Sequence, residues 1–383
     1  MGEPRRVQAC VLRSLGRLEV EEVLLDPPGP GEVQVRVAAA GVCHSDVHLI
    51  DGHLGHHHLP TVPGHEGAGV IEELGEGIGH LRVGDSVAFC FVPACGECAA
   101  CQDGHPNRCI PGALNAFRGV MTDGSSRLRS ADGTPLGQFL SVACFAERSV
   151  MPAAAAVPIP TSLPFWQAAL VGGAVVTGVG AVRNAARVEA CQAVCVVGCG
   201  GVGLQVIAGA RLAGADPIIA IDLAPGKLEL AEARGATQFV DGAEGDVARA
   251  VRGISSGVDH AFEVVGRPET VSLAWNTVKP GGTATVVGVV PDGVDVAIDA
   301  RGLLAEQSLR GLFYGSGHPA REIADLADLI DRGGFDVEST ISHATNLLGV
   351  GAALERMRHS DGARTIVVID EELVGPLPER LRV

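Results

Sequence analysis

Residues 193–222, AVCVVGCGGVGLQVIAGARLAGADPIIAID, constrain the fold of this chain more than any other stretch. A valine-rich apolar run leads into a cluster of glycines, a segment of helical character follows, and a second apolar run ends on Asp222. This order of strand, glycines, helix and strand is that of one βαβ unit. The stretch therefore predicts an α/β domain built on a parallel sheet.

The glycines in this stretch have separate roles at the turn from strand to helix. Gly198 lets the chain turn off the strand, Gly200 lets the backbone approach a pyrophosphate, and Gly203 lets the helix pack closely on the sheet. Unpaired N–H groups at the helix start favour a phosphate, and Asp222 can accept hydrogen bonds from ribose hydroxyls. A tight turn with a purely structural role would not need the complete order of strand, glycines, helix, strand and aspartate, so this order favours dinucleotide binding. The predicted dinucleotide-binding residues are Gly198, Gly200, Gly201, Val202, Gly203 and Asp222.

Length and charge limit the class of protein. A chain of 383 residues exceeds what one hydrophobic core supports, so two domains are expected. A net charge of −16 argues against nucleic acid or an anionic membrane as a partner. The N-terminal segment lacks the continuous apolar core of a signal peptide, and the longest weakly polar run, 168–182, is short and rich in glycine. We therefore expect a cytoplasmic protein without a membrane span.

The chain changes character along its length. From about residue 7 to residue 91, short alternating segments separated by glycine and proline predict a β-barrel-like domain. From about 164 to 315, helical and buried-strand patterns alternate, which is typical of a doubly wound parallel sheet. A helical stretch at 320–332 and a strand at 365–369 follow. They are long enough to rejoin the first domain.

Four cysteines stand close together in the pattern Cys95-x2-Cys98-x2-Cys101-x7-Cys109. Two glycines between them let the loop wrap around one ion, and four sulfurs suit a tetrahedral zinc. Iron–sulfur clusters of the bacterial type end with a shorter gap and a Cys-Pro pair, which this lobe lacks. Since four thiolates leave no open coordination position, the spacing predicts a structural zinc rather than a catalytic one.

Two further motifs precede this lobe, Gly41-Val-Cys-His-Ser-Asp-Val-His48 and Gly64-His-Glu-Gly-Ala-Gly69. Together with the cysteine lobe and the glycine fingerprint, they make the chain resemble the zinc-dependent medium-chain alcohol dehydrogenases over essentially its whole length. Segment 117–129 is similar to the longer version in the branch of liver-type and glutathione- or mycothiol-dependent formaldehyde dehydrogenases.

The resemblance implies two domains with an active cleft between them. One is a GroES-like β-barrel catalytic domain, residues 1–174 and 315–383, and the other is a Rossmann coenzyme domain with a doubly wound parallel sheet, residues 175–314. The resemblance also implies NAD as the coenzyme, a small alcohol, aldehyde or ketone as the substrate, and a homodimer in this branch.

The catalytic zinc site expected from the resemblance is incomplete. Cys43 and His65 correspond to two of its ligands, Asp46 would orient a ligand, and Glu66 would stand behind the metal as an occasional substitute ligand. The family's third ligand is a cysteine, and this chain has Gly173 at that position. The missing thiolate removes a bond and a negative charge. Two alternatives therefore stay open: Glu66 rebuilds the metal shell, or the site holds no metal.

The resemblance assigns other residues to proton transfer, substrate and coenzyme. Ser45 would hydrogen-bond the substrate oxygen, and His48 would pass its proton to solvent. The expected substrate pocket consists of Phe91, Leu114, Phe139 and Leu140. The expected coenzyme contacts beyond the fingerprint are Thr177 near the nicotinamide, Lys227 at the adenosine ribose, and His44 and Arg364 at the phosphates.

The leading prediction is an NAD(H)-dependent oxidoreductase that interconverts an alcohol and a carbonyl compound through an altered inner zinc site. NAD is expected over NADP because Asp222 repels a 2′-phosphate and Leu223 adds no positive charge. Ser45 and His48 both serve protonation of an oxygen, which favours this reaction. Two rivals remain: a zinc-independent reductase of an activated C=C or C=N bond, and a coenzyme-binding protein with little turnover.

A histidine cluster, formed by residue 53 and residues 56–58, resembles a metal-binding patch. Because a histidine-rich surface loop has the same composition, we interpret the cluster as a loop of that kind.

Overall fold

The computed structural model describes residues 3–54 and 59–382, and it divides the chain into two compact units. The first unit comprises Met1–Gly173 and His318–Val383, and the second comprises Ala174–Gly317. The sequence predicts the two junctions at 174/175 and 314/315. The structure places them at 173/174 and 317/318.

Strands and helices are numbered in chain order. The strands are β1 (Arg5–Ser14), β2 (Arg17–Leu25), β3 (Glu32–Gly41), β4 (Thr61–Val62), β5 (Glu66–Leu74), β6 (Ser86–Phe89), β7 (Leu128–Ser130), β8 (Pro135–Gln138), β9 (Arg148–Pro152), β10 (Ala156–Pro158), β11 (Val194–Val197), β12 (Ile218–Asp222), β13 (Gln238–Asp241), β14 (Val258–Glu263), β15 (Val278–Val286), β16 (Ser308–Gly311), β17 (Ile341–Asn346) and β18 (Arg364–Val368). The α-helices are α1 (His44–Ile50), α2 (Ala99–Gln102), α3 (Ile110–Arg118), α4 (Phe165–Ala168), α5 (Val176–Gly180), α6 (Gly203–Leu212), α7 (Pro225–Arg234), α8 (Val247–Ser255), α9 (Pro268–Thr277), α10 (Arg301–Leu304), α11 (Pro319–Asp331), α12 (Val350–Arg358) and α13 (Glu371–Val374).

The first unit is built on two β-sheets. Strands β1, β2, β7, β8 and β4 close into a barrel in that order, and the apolar side chains of Val7, Val23 and Leu128 fill its core. The second sheet has the order β10-β6-β5-β3-β18-β17, with β9 paired to β3. Because β17 and β18 come from the end of the chain, the C-terminal residues return to the first unit, as the sequence predicts. The GroES-like β-barrel is confirmed.

The second unit contains a six-stranded sheet with the order β13-β12-β11-β14-β15-β16. All of its neighbouring strands run parallel. This order is the doubly wound arrangement in which the strand order reverses between the first and fourth strands, here β11 and β14. The core beneath the sheet includes Cys195, Ile219 and Trp275. The predicted Rossmann fold is confirmed.

One helical stretch of the described chain, Phe165–Ala186, is long and apolar enough to cross a membrane. It contains α4, α5 and two π-helical segments, Val171–Val175 and Ala181–Ala186. Its most apolar window is 83% buried inside the protein, which is typical of a helix in a protein core. The first π-helical segment includes Gly173, where the resemblance leads us to expect a cysteine ligand.

Candidate active site

Asp46 organises the predicted metal-ligand segments in the first unit. Strand β3 ends at Gly41, and Cys43 stands at the N-cap of α1, where the Asp46 carboxylate accepts the Cys43 backbone N–H at 3.1 Å. The other carboxylate oxygen accepts the Gly64 backbone N–H at 3.1 Å and lies 3.3 Å from Nδ1 of His65. Since Asp46 is fully buried, these contacts hold Cys43 and His65 in place. They support the orienting role expected for Asp46.

Cys43, His65 and Glu66 form a group that could hold a metal ion. One ligand atom from each, the sulfur, a ring nitrogen and a carboxylate oxygen, lies within 4.8 Å of the other two. His65 is 2% exposed and Glu66 is 1% exposed. The Glu66 oxygen Oε1 is 3.3 Å from Nη2 of Arg364, whereas Oε2 is buried without a hydrogen-bond partner. The unpartnered oxygen is a candidate metal ligand, because buried polar atoms normally have partners.

The Glu66 side chain fills the space that glycine leaves at position 173. A Cβ atom added to Gly173 would lie well under 3.0 Å from Oε1, Cγ and Cδ of Glu66, a separation that real Cβ atoms do not show. On another side, a Cβ atom added to Gly41 would lie 2.8 Å from Oε2. The position of Glu66 therefore depends on glycine at both positions.

Charges around the group stabilise one another. Burial lowers the pKa of His65, but the Asp46 carboxylate, its hydrogen bond and the Cys43 side chain raise that pKa well above its ordinary value. Burial also lowers the pKa of Arg364, and Glu66 together with Cys43 raises it above the ordinary value. A histidine held by a carboxylate in this way is well placed to coordinate a cation once its proton is displaced.

Arg364 occupies a different position from the one expected for a coenzyme contact. It is 3% exposed, donates a hydrogen bond to the Val42 carbonyl at 2.9 Å, and pairs with Glu66. Its contact with the coenzyme phosphates stays a prediction, as does that of His44, which is exposed at the first position of α1. The pairing of Arg364 with Glu66 is not predicted from the sequence, because no local pattern indicates it.

The predicted proton-transfer residues both lie on α1. The Ser45 hydroxyl is 3.8 Å from the Cys43 sulfur, which places it beside the candidate metal group. His48 is half-buried, and its Nδ1 atom lies 3.3 Å from Nδ1 of His53. Burial lowers the pKa of His48, the neighbouring His53 lowers it further, and Asp51 opposes them, which leaves the pKa below its ordinary value. The remaining histidines of the predicted surface loop, residues 56–58, lie outside the described residues.

Two aromatic rings of the predicted substrate pocket contact the candidate metal ligand His65. The rings of Phe91 and Phe139 each meet the His65 ring edge to face, with centroids 5.4 and 5.5 Å apart. Leu140 is buried and has a left-handed backbone with φ 52°. Leu114 lies on α3, which packs against the segment that carries Phe139, and it is 44% exposed. The four predicted pocket residues are therefore all apolar, and two of them touch a candidate metal ligand.

The four cysteines of the lobe also come together. Their sulfur atoms lie within 4.8 Å of one another. The Cys109 sulfur accepts backbone N–H groups from Cys95 at 3.2 Å and from Gly112 at 3.4 Å, and the second of these bonds caps the start of α3. All eleven cysteines lie within the described residues and are free thiols. Backbone N–H groups aimed at sulfur stabilise thiolates, so the lobe has the donor set of a closed zinc site.

The glycine fingerprint of the second unit has the geometry of a phosphate-binding turn. Gly198 has φ 97°, and a Cβ atom added to Gly203 would lie well under 3.0 Å from the Gly198 carbonyl oxygen. A Cβ atom added to Gly200 would meet no atom within 4 Å, so this part of the loop opens onto free space. Helix α6 begins at Gly203, directly after the Val202 N-cap. A pyrophosphate can therefore approach the loop backbone at Gly200.

Asp222 ends β12 and holds the glycine loop. Its carboxylate accepts the Cys199 backbone N–H at 2.7 Å and the Ala224 backbone N–H at 3.0 Å. Leu223 beside it is 66% exposed. Two further predicted coenzyme contacts are also in this unit, Thr177 on α5 and Lys227 on α7.

A buried carboxylate at the end of β14 is not among the site residues predicted from the sequence. Glu263 pairs with the end of β11, at the reversal of strand order where doubly wound sheets bind ligands. Its Oε1 atom accepts the backbone N–H groups of Val265 and Gly266, while Oε2 is buried without a partner. The signal was present in the sequence, since an acidic residue follows directly on a buried strand pattern there.

Comparisons with known proteins agree with these two units. The family description "Alcohol dehydrogenase GroES-like domain" matches residues 29–161, and "Zinc-binding dehydrogenase" matches residues 201–332. The chain is 32% identical to S-(hydroxymethyl)glutathione dehydrogenase of Paracoccus denitrificans over 373 residues, which cover 95% of this chain and 100% of that protein. It is 32% identical to alcohol dehydrogenase class-3 of Cereibacter sphaeroides over 374 residues, with the same coverage.

A solved structure, benzyl alcohol dehydrogenase from Acinetobacter calcoaceticus, is similar with a TM-score of 0.90 and 29% identity, and covers 96% of this chain and 100% of that one. Both halves of the chain therefore match the same kind of enzyme along nearly their full length. The chain belongs to the zinc-dependent medium-chain alcohol dehydrogenases, in the branch similar to formaldehyde dehydrogenase.

Proposed function

We propose that the protein is an NAD(H)-dependent alcohol dehydrogenase whose inner zinc is held by Cys43, His65 and Glu66. One observation carries the altered ligand set: the Glu66 carboxylate lies in the space of a side chain at position 173 and keeps Oε2 without a partner. Of the two alternatives left open by the sequence, this geometry favours the rebuilt shell.

The donor atoms suit the metal. Zinc accepts thiolate, imidazole and carboxylate ligands, and a catalytic site needs three of them and one open position. A thiolate and a carboxylate carry the same total charge as two thiolates, so the exchange of cysteine for Glu66 preserves the charge of the site. Zinc bound there would polarise the substrate oxygen and lower the pKa of the alcohol.

Proton transfer is assigned to the protein's own side chains. Ser45, beside Cys43, would accept the hydrogen bond of the substrate hydroxyl and so orient the substrate. Because the pKa of His48 is lowered, its ring is neutral at neutral pH and can accept a proton. His53, in contact with His48 and exposed, gives that proton a way to solvent. When bound, the nicotinamide accepts the hydride.

NAD is the coenzyme that suits the second unit. The Asp222 carboxylate stands at the end of β12, where the adenosine ribose binds in folds of this kind. A 2′-phosphate would meet this negative charge, and the exposed side chain of Leu223 offers no compensating cation. The open backbone at Gly200 supports binding of the pyrophosphate.

The substrate pocket favours an alcohol that carries an aromatic or other apolar group. Phe91 and Phe139 lie against His65, while Leu140 is buried next to Phe139 in sequence and Leu114 lies on the helix that packs against this segment. These side chains offer no partner for a charged group on the substrate. Benzyl alcohol dehydrogenase, the similar solved enzyme, acts on such an alcohol by its name.

The protein is further proposed to be a cytoplasmic homodimer with a structural zinc in the cysteine lobe. Strand β16 supports the dimer, because it ends the six-stranded sheet and all four of its residues are exposed. Exposed strand edges readily pair with another chain. Leu304, on helix α10 shortly before β16 in sequence, is 90% exposed, so it is an apolar side chain that a second subunit could cover.

The test is oxidation of benzyl alcohol with NAD by the purified, zinc-loaded protein, compared with its Ser45→Ala variant. The proposal expects formation of NADH and benzaldehyde by the unmodified protein and a loss of about a hundredfold or more in the variant. Reduction of an activated C=C or C=N bond without any alcohol oxidation would favour a zinc-independent reductase. Tight NADH binding without turnover of any alcohol or aldehyde would indicate a coenzyme-binding protein.

A further inference from the structure

A polar cavity lies in the first unit among residues that the active site does not use. Its volume is about 260 Å³, and it lies at β17, the last strand of the second sheet. Part of its wall is β17 itself, part is Arg356 on α12, and part is the C-terminal segment with Arg380 and Arg382. The cavity therefore brings together residues from three separate parts of the chain.

Most polar side chains around the cavity can donate hydrogen bonds, although its hydroxyls and histidine ring can also accept them, as the Ser342 hydroxyl does from the Ala363 backbone N–H at 2.9 Å. Three are arginines, whose guanidinium groups have five N–H donors and no acceptor. The hydroxyls of Ser342 and Thr345 and the ring of His343 add further donors. The chain as a whole has a net charge of −16, whereas three guanidinium groups line this one cavity. A wall of this composition suits a ligand that is rich in acceptors and negatively charged.

Protein carboxylates balance only part of this positive charge. Glu338 pairs with Arg380 at 3.1 Å, and this arginine also donates to the Ile341 carbonyl at 2.8 Å. Asp361 lies 3.5 Å from His343. Among the described residues, neither Arg356 nor Arg382 forms an ion pair.

One nitrogen atom of the wall lacks a partner. Nε of Arg356 is buried and makes no hydrogen bond, whereas Nε2 of His343 lies 3.5 Å from a carboxylate oxygen of Asp361. Unpartnered buried donors are uncommon in folded proteins, because each costs free energy unless a ligand or a water satisfies it. This donor belongs to an arginine that lines the cavity.

We propose that this cavity binds a phosphate group, either of inorganic phosphate or of a small phosphate monoester. In the part of the chain that the structure describes, no carboxylate forms an ion pair with Arg356 or Arg382, and their two positive charges match the charge of about −2 that a phosphate carries near neutral pH. The flat guanidinium forks bind phosphate oxygens in pairs, and the neighbouring hydroxyls can donate to the remaining oxygens. The site is independent of the alcohol dehydrogenase activity and would be a second ligand site of the enzyme.

The test is a calorimetric titration of the zinc-loaded full chain with inorganic phosphate at constant ionic strength. Saturating NADH is present throughout, so that phosphate cannot report on the coenzyme site. We expect one phosphate per chain, and binding at least about tenfold weaker in the Arg356→Gln variant, since a charge-assisted contact is lost. Glycerol phosphate in place of inorganic phosphate tests whether the cavity takes a monoester.

Arg332→Gln is the matched control, because Arg332 is an exposed arginine at the end of α11 that pairs with Asp328 of that helix. Its phosphate affinity should equal that of the unmodified protein. Arg382→Gln provides a second variant from another wall of the cavity, and it should weaken binding as well. Failure of both phosphate compounds to bind, or equal affinity in Arg356→Gln and Arg332→Gln, would overturn the proposal.

Discussion

Replacement of Gly173 by alanine tests the central feature of the proposed active site. The added methyl group would overlap Oε1, Cγ and Cδ of Glu66, each at well under 3.0 Å. To regain ordinary contact at 3.4 Å, the carboxylate has to retreat by roughly 1 Å, which is a large shift in a close-packed interior. The retreat would withdraw the third ligand from Cys43 and His65 and disturb the ion pair with Arg364.

The expected cost combines two effects of opposite sign. Alanine in place of glycine inside a helix ordinarily stabilises a protein by about 0.5–1 kcal/mol. Overpacking of a buried site costs about 1–3 kcal/mol, and displacement of a carboxylate from a buried ion pair adds to that. The free-energy cost of the clash is therefore expected to exceed the stabilisation that alanine provides in a helix. Gly173→Ala should destabilise the protein and weaken the binding of the inner zinc.

The assay measures the free energy of unfolding in urea and the zinc content per chain after dialysis against a chelator. The unmodified protein should hold about two zinc ions, of which the inner one leaves first, because the lobe supplies four thiolates and the inner site three mixed ligands. Gly173→Ala should retain one. Gly351→Ala is the control, since it places the same methyl group in helix α12 where no atom lies within 4 Å.

A double variant identifies the atoms responsible. In a Glu66→Ala background the methyl group at position 173 has room, so the stability cost of Gly173→Ala should disappear and the two changes should couple by about 1 kcal/mol or more. Unchanged zinc content and stability in Gly173→Ala would refute the reasoning. So would two firmly held zinc ions in Glu66→Gln, because an unidentified group would then complete the shell.

Three further predictions concern the other sites. Cys98→Ser should lower the melting temperature and release the lobe zinc before it alters turnover, because binding energy at such a site is folding energy; full thermal stability with complete loss of activity would contradict the structural assignment. Asp222→Ser combined with Leu223→Arg should erase or reverse a preference for NADH over NADPH in a binding titration, and equal affinities in the unmodified protein would count against the prediction. If the neutral ring of His48 accepts the proton in alcohol oxidation, kcat/KM should fall on the acid side only below pH 6.5, because the pKa of His48 is lowered from that value. A pH profile unchanged in His48→Gln would exclude this role.

Local patterns in the sequence determined the features whose residues are close together along the chain. The glycine fingerprint predicts its own turn, because the Gly198 conformation and the Gly203 close approach arise within six residues. The four cysteines of the lobe are likewise close together in sequence, so their spacing predicts the structural zinc site. The alternation of helix and strand predicts the doubly wound sheet. Such features follow from the backbone and side-chain chemistry of short segments, which the sequence displays directly.

Only the tertiary structure decided what occupies the space at Gly173. The sequence indicates that an expected cysteine is absent and offers Glu66 as a substitute ligand, but it does not show where the Glu66 side chain lies. That position depends on where β5 places Glu66 relative to a helical segment more than a hundred residues later, and on Arg364 from the end of the chain. The phosphate-binding cavity has the same origin, since its arginines meet only after α12 and the C-terminal segment have packed beside β17. The packing of distant segments determines the space at Gly173 and the charges that line the cavity. A pattern along the sequence does not show either of them.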